Sequence, residues 1–150
     1  MKAVIQRVSN AKVIVEGEKV AEIGQGLLIL IGISDTDTQE DILWLSKKIA
    51  NIRIFNDLEG VMNNSLIDIN GDAILVSQFT LQARTKKGNR PSYMKAAKPE
   101  ISKPLYEFFV NQFEQEISKK VQTGIFGADM KVSLINDGPV TIVFDTENKI

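Results

Sequence analysis

The chain has 150 residues, the length of one domain, and 43% of them are hydrophobic against 25% charged, enough apolar material for a single core. It contains no His and no Cys, which excludes Ser-His-Asp and Cys-His nucleophile pairs as well as thiolate or imidazole zinc sites. A protein-held metal would have only carboxylate and carbonyl oxygens to bind it, which favours Mg²⁺ or Ca²⁺. The formal charge is −1, so no global basic field announces a nucleic-acid partner, although a local patch can supply one.

The amino terminus, MKAVIQRVSN, lacks the apolar run of a signal peptide, and the longest apolar stretch, Leu27 to Ile33, is too short to span a bilayer. A soluble, cytoplasmic protein with no membrane partner is expected. Lys2–Val8 and Lys12–Glu16 predict two strands rich in β-branched residues, and Val20–Ile23 a third after the Glu16-Gly17-Glu18 turn. The continuous apolar run Gly26–Ile33 predicts a strand buried on both faces. Ile42, Leu45, Ile49 and Ile52 fall at helical spacing behind Thr38 and Asp41, which resemble a capping box.

Arg53–Phe55 predicts a short strand, Asp57–Gly60 and Asn70-Gly71 predict turns, and Ala73–Thr80 predicts a strand that begins apolar and ends polar. Residues 84–103 carry seven basic residues against Glu100 and are broken by Pro91 and Pro99, which predicts a loop with a short helix. A longer helix is expected from about Ser102 to Val121, with Pro104 in its first turn and Leu105, Phe109, Phe113 and Ile117 as its apolar stripe. The tail predicts a strand at Lys131–Ile135, a turn at Asn136–Pro139 and a strand at Val140–Phe144. No linker, repeat or low-complexity segment appears. The pattern is one α+β domain, residues 1–150, with mostly antiparallel strands and two main helices.

Four segments carry the candidate chemistry. Ser77-Gln78-Phe79-Thr80-Leu81 is either a strand end with Phe79 and Leu81 in the core, or a place where Ser77 or Thr80 acts as a nucleophile or backbone N–H groups meet a ligand. A hydroxyl nucleophile needs a base, and histidine is absent. Asn136-Asp-Gly-Pro-Val-Thr141 has the composition of an ordinary turn, yet Gly138-Pro139 lacks a side chain and an amide hydrogen at adjacent positions. Residues 84–103 are either a solvated loop or a phosphate-neutralising patch with Tyr93 for stacking. Thr123–Met130 has the composition of a helix stop leading into a strand, with Phe126 and Met130 as core. No segment has the spacing of a P-loop or dinucleotide fingerprint.

Ser77-Gln-Phe-Thr-Leu81 and Asn136-Asp-Gly-Pro-Val-Thr141 together resemble the signature pair of the D-aminoacyl-tRNA deacylases, the D-tyrosyl-tRNA deacylase family. The resemblance extends through Val4–Val8, Asn51–Phe55, Met62-Asn63, Lys87–Tyr93 and Gly124–Ala128, with Gln82 and Val61 departing from the family pattern. It implies barrel-like β-sheets, a homodimer with sites at the subunit interface, tRNA as partner, and no cofactor or metal. It further implies hydrolysis of the ester joining a D-amino acid to the 3′-terminal adenosine of tRNA.

Carried over by position, the resemblance implies that Ser77, Gln78, Phe79 and Thr80 form the catalytic side of the pocket, with backbone N–H groups from Phe79 and Thr80. It makes Gly138-Pro139 a cis dipeptide inserted from the partner subunit to reject L-amino acids, supported by Arg7. Phe126 and Met130 are then expected around the terminal adenine, and Lys86, Lys87 and Arg90 on tRNA phosphates. Without histidine, the expected chemistry is assisted by the ribose hydroxyl, with broad tolerance of D-amino acids and some cleavage of glycyl-tRNA. The competing expectations are a non-catalytic RNA- or nucleotide-binding module using the 84–103 segment, and a conventional Ser/Thr esterase.

Overall fold

In a computed structural model that describes residues 1–150, a long first strand organises everything else. Strand β1 (Lys2–Val15) runs unbroken where the sequence predicts two strands. Strand β8 (Lys131–Asp145) pairs antiparallel with it from Lys2↔Asp145 to Ile14↔Lys131. On the opposite edge, β3 (Gly26–Gly32) pairs with residues 2–8 and β2 (Glu18–Ile23) with residues 11–15, both antiparallel. Both edges of β1 are therefore engaged along most of its length, which holds Ser9 and Asn10 in the strand although they are polar and exposed.

Beyond β3 the sheet turns parallel, through β6 (Asp72–Ser77) and then β7 (Gln122–Thr123). The sheet order is β2-β1-β3-β6-β7, with β8 on β1. Its two ends meet. The Gln122 side-chain amide donates to the Glu22 carbonyl at 2.6 Å and accepts from the Glu22 N–H at 2.7 Å. One side chain thus bridges β2 to β7, and the sheet curls nearly into a barrel. A two-stranded hairpin of β4 (Phe55–Asn56) and β5 (Met62–Asn64) lies apart.

Two helices complete the α+β fold. Helix α1 (Gln39–Asn51) begins with the expected capping box, in which Asp41 accepts from the Thr38 N–H at 2.9 Å and Thr38 caps in return. Helix α2 (Pro99–Ile117) starts earlier than predicted, with Pro99 rather than Pro104 in the first turn. Pro99 occupies the first helical position, where its missing N–H costs nothing, and Pro104 is carried within the helix. No separate short helix forms in 84–98.

The strand pleat divides the apolar run of β3 between two cores. Leu27, Ile29 and Ile31 join Ile5, Leu75, Leu45, Ile49, Phe109 and Phe113 beneath the helices. Leu28 joins Val8, Val13, Ile23, Ile74 and Val76 on the other face. This explains why β3 has no polar alternation. No helix is long and apolar enough to cross a membrane.

The expected turn at Asn136–Pro139 does not reverse the chain. Both flanking segments pair with the same strand β1, Asn136 itself opposite Val8, so Asp137–Val140 bulge out of a single strand, with register shifts opposite Gln6–Asn10. Asn136 holds the bulge: its Oδ1 accepts from the Val140 N–H at 3.0 Å, and its Nδ2 donates to Thr141 Oγ1 at 2.8 Å.

Candidate active site

Strand β6 ends at Ser77 rather than Thr80, and the next residue decides the geometry. The Gln78 N–H donates to the Ile31 carbonyl at 2.7 Å, extending the strand contact by one residue. The chain then coils into a 3-10 turn, Phe79–Gln82. Gly32 allows this turn to lie against β3, since a Cβ there would stand 2.7 Å from Leu81 Cβ and 2.8 Å from the Gln78 carbonyl oxygen. The buried Gln82 fastens it, donating its amide to the Gly32 carbonyl at 2.8 Å.

The turn forms one wall of a cavity of about 420 Å³. Ser77, Gln78 and Phe79 stand on that wall, Phe126 and Met130 line it from the segment before β8, and Ala97 and Ser102 close it beside α2. Five of the residues expected to form a site therefore share one cavity. Thr80 is not in the lining; its hydroxyl accepts a hydrogen bond from the Gln78 amide. Phe79 is 58% exposed, not core, and meets the Tyr93 ring edge-on at 5.1 Å.

No Asp, Glu, Lys, Arg or Tyr lines this cavity. Its polar side chains are Ser77, Gln78 and Ser102, and the Ser102 hydroxyl donates to the Lys98 carbonyl at 3.1 Å. No acid or base in the lining can activate Ser77. No group of three or more acidic residues stands close enough anywhere in the chain to hold a metal ion.

Gly138 and Pro139 lie outside the cavity of their own chain, exposed on the β8 bulge and joined by a cis peptide bond. Arg7 is buried behind them. Its Nε donates to the Asp137 carbonyl at 2.9 Å, its Nη1 to the Ile54 carbonyl at 2.6 Å, and the guanidinium pairs with the Asp137 carboxylate at 3.5 Å. Gly138 has φ +133°, and a Cβ there would meet Val140 Cγ2 at 2.8 Å and Arg7 Nη2 at 3.1 Å. The position accepts glycine alone without strain.

Lys86, Lys87 and Arg90 are exposed on a loop whose base is closed by paired hydrogen bonds between Arg84 and Ser92, at 2.8 and 3.0 Å. The same segment reaches the cavity through apolar residues: the Ala97 N–H donates to the Ile33 carbonyl at 3.0 Å, placing Ala96 and Ala97 in the wall. Sequence reasoning missed these two alanines and Gln82. Small residues within a basic segment carry no signal of their own, whereas a glutamine beside Phe79-Thr80-Leu81 could have been suspected of a buried amide role.

A family model described as D-Tyr-tRNA(Tyr) deacylase matches residues 4–145. The chain belongs to this family. Family relatives include the D-aminoacyl-tRNA deacylase of Flavobacterium psychrophilum, 69% identical over 99% of both chains. That of Bacteroides thetaiotaomicron is 60% identical over the same share. A solved structure described as c-Myc DNA unwinding element binding protein superposes with a TM-score of 0.92 at 40% identity, over 97% of this chain and 99% of the other. One described as a probable eukaryotic D-amino acid tRNA deacylase gives 0.82 at 18% identity over 95% and 97%, a likeness of fold.

Proposed function

We propose that this chain hydrolyses the ester of D-aminoacyl-tRNA, releasing the free D-amino acid and tRNA. The observation that carries the mechanism is a cavity built around the Ser77–Phe79 turn with no titratable side chain in its lining. The family assignment and the 69% identity to a D-aminoacyl-tRNA deacylase support the substrate class.

An aminoacyl ester is already activated, and the neighbouring ribose hydroxyl lies beside the scissile carbonyl. The protein then needs only to orient the ester and stabilise the developing oxyanion while water attacks. Fixed geometry contributes about 7–11 kcal/mol to such reactions, and one oxyanion donor about 2.7–4 kcal/mol. Phe79 and Thr80 begin the 3-10 turn, positions whose N–H groups the turn itself leaves unbonded, and they are the proposed donors. Phe126 and Met130 supply the apolar surface for the terminal adenine. Gln78 and Thr80, bonded to each other, keep the turn in shape.

The proposed site is completed by a second copy of the chain, whose Gly138-Pro139 enters the cavity. The exposed dipeptide, stiffened by Arg7 and Asn136, lies outside the Ser77–Phe79 cavity of its own chain. Main-chain carbonyls held close to the substrate Cα leave room for hydrogen on one side, so an L side chain is excluded by shape and glycine is admitted. The exposed Lys86, Lys87 and Arg90 are the proposed contacts for tRNA phosphates. The soluble, cytoplasmic setting where charged tRNA occurs fits this substrate.

The test is ester loss from D-tyrosyl-tRNA, L-tyrosyl-tRNA and glycyl-tRNA, with and without EDTA. Rapid D-tyrosyl and measurable glycyl turnover, with L-tyrosyl intact and EDTA without effect, is expected. The second reading is a nucleic-acid-binding module without chemistry. The exposed 84–103 cations and the neighbour described as a c-Myc DNA unwinding element binding protein favour it, and tRNA retention without cleavage would establish it.

A further inference from the structure

Phe126 lines two cavities at once. Behind the proposed adenosine pocket lies a second hollow of about 450 Å³, walled by α2 and by Thr123–Phe126. Pockets of roughly 300–1,000 Å³ accept small ligands, so one base has room here. The dividing wall is fixed: Phe126 packs on Tyr106 with ring centroids 5.8 Å apart, and Tyr106 is buried with its hydroxyl donating to the Leu75 carbonyl at 2.8 Å.

Three polar side chains face this hollow at four-residue intervals along α2: Lys103, Glu107 and Asn111. All three are exposed, and none makes a side-chain hydrogen bond or ion pair that the fold uses. Their chemistry is complementary to one nucleotide. A carboxylate accepts from the exocyclic amine of cytosine, a carboxamide donates to that base's ring acceptors, and an ammonium meets phosphate. The apolar floor of Val110, Ile125 and Phe126 offers a stacking surface.

We propose that this hollow is the subsite for the nucleotide preceding the terminal adenosine, the penultimate cytidine of a tRNA 3′ end. Asn111 and Glu107 read its base edge and Lys103 holds its phosphate. The assignment rests on the deacylase function above, since it requires adenosine in the neighbouring pocket. It gives the enzyme a means of preferring a charged tRNA end over any other activated ester of adenosine.

The experiment compares D-tyrosyl esters of adenosine, of the trinucleotide CCA and of CUA, using the full chain and the E107A, N111A and K103A variants. For CCA, each variant is expected to raise KM about tenfold with kcat unchanged, while kcat/KM for the adenosine ester stays at the parent value. The parent should favour CCA over CUA, and E107A should lose that preference. Equal KM for parent and variants on CCA, no parental preference for CCA over CUA, or a parallel loss on the adenosine ester would overturn the subsite. A parent inactive on every ester and on D-tyrosyl-tRNA would instead overturn the deacylase function itself.

Discussion

Ser77 is the residue whose role most needs deciding, because it stands in the cavity and is the natural suspect for covalent chemistry. The absence of His from the chain and of any acid or base from the lining leaves its hydroxyl unactivated. Replacing Ser77 by Ala should leave single-turnover hydrolysis of D-tyrosyl-tRNA within about tenfold of the parent, whereas removal of a serine nucleophile in a triad enzyme costs about 10⁶-fold. Trapping an acyl-enzyme at Ser77 or Thr80 would overturn this assignment. The five cavity residues were reached through the family resemblance of contiguous motifs, whereas composition alone reads Phe79, Phe126 and Met130 as core. Ala96, Ala97 and Ser102 could not, since they join the wall only through the Ala97–Ile33 hydrogen bond between distant segments.

The Phe79–Gln82 turn depends on one buried amide. Substituting Gln82 by Ala removes the 2.8 Å bond to the Gly32 carbonyl and should cost about 1–3 kcal/mol. For a chain of this size each kcal/mol lowers Tm by about 2–4 °C, so calorimetry can measure the loss. Acid tests a different turn. Asp68 accepts from the Ser65 N–H at 2.7 Å and hydroxyl at 2.8 Å, bonds that hold its carboxyl below the ordinary carboxylate range, aided by Arg53. This stabilisation is complete above about pH 4, the unfolded aspartate range, and is lost as pH falls through the lowered value. The D68N variant should therefore be less stable than the parent at neutral pH and lose less stability on acidification, as urea titrations across pH 2–7 would reveal.

Both helices and the long strands followed from periodicity, but the short strands β5 and β7 and several boundaries, among them the β6 end at Ser77, did not. Ser9-Asn10 and Asn136–Pro139 have turn composition, yet each lies between stretches of β1 and β8 that pair on both sides, and that flanking pairing turns a would-be reversal into a bulge. Two prolines compete to open α2, and which one takes the first turn depends on the docking of Ala96 and Ala97 against the end of β3. The closure of the sheet through Gln122 lies equally beyond sequence patterning, because it joins residues a hundred positions apart.

The molecule as drawn is half of the proposed catalyst. One chain offers a cavity without its stereochemical wall and a stiffened dipeptide outside that cavity. If each site draws on two copies, Gly138→Ala and Phe79→Pro chains should each be inactive alone. Mixed dimers then carry one site with both lesions and one with neither, so re-equilibrated mixtures should recover about a quarter of parental activity. No recovery, despite mixed dimers shown by mass spectrometry, would place the whole site within one chain.

The uncharged lining of the cavity also bears on inhibition. Fluorophosphonates, acyl fluorides and other electrophilic warheads capture an activated hydroxyl, thiol or imidazole, and this pocket offers none. Covalent profiling of a proteome would pass the protein by. Useful inhibitors must instead be hydrolysis-resistant mimics, such as a D-aminoacyl amide of 3′-amino-adenosine, that compete by shape and stacking alone.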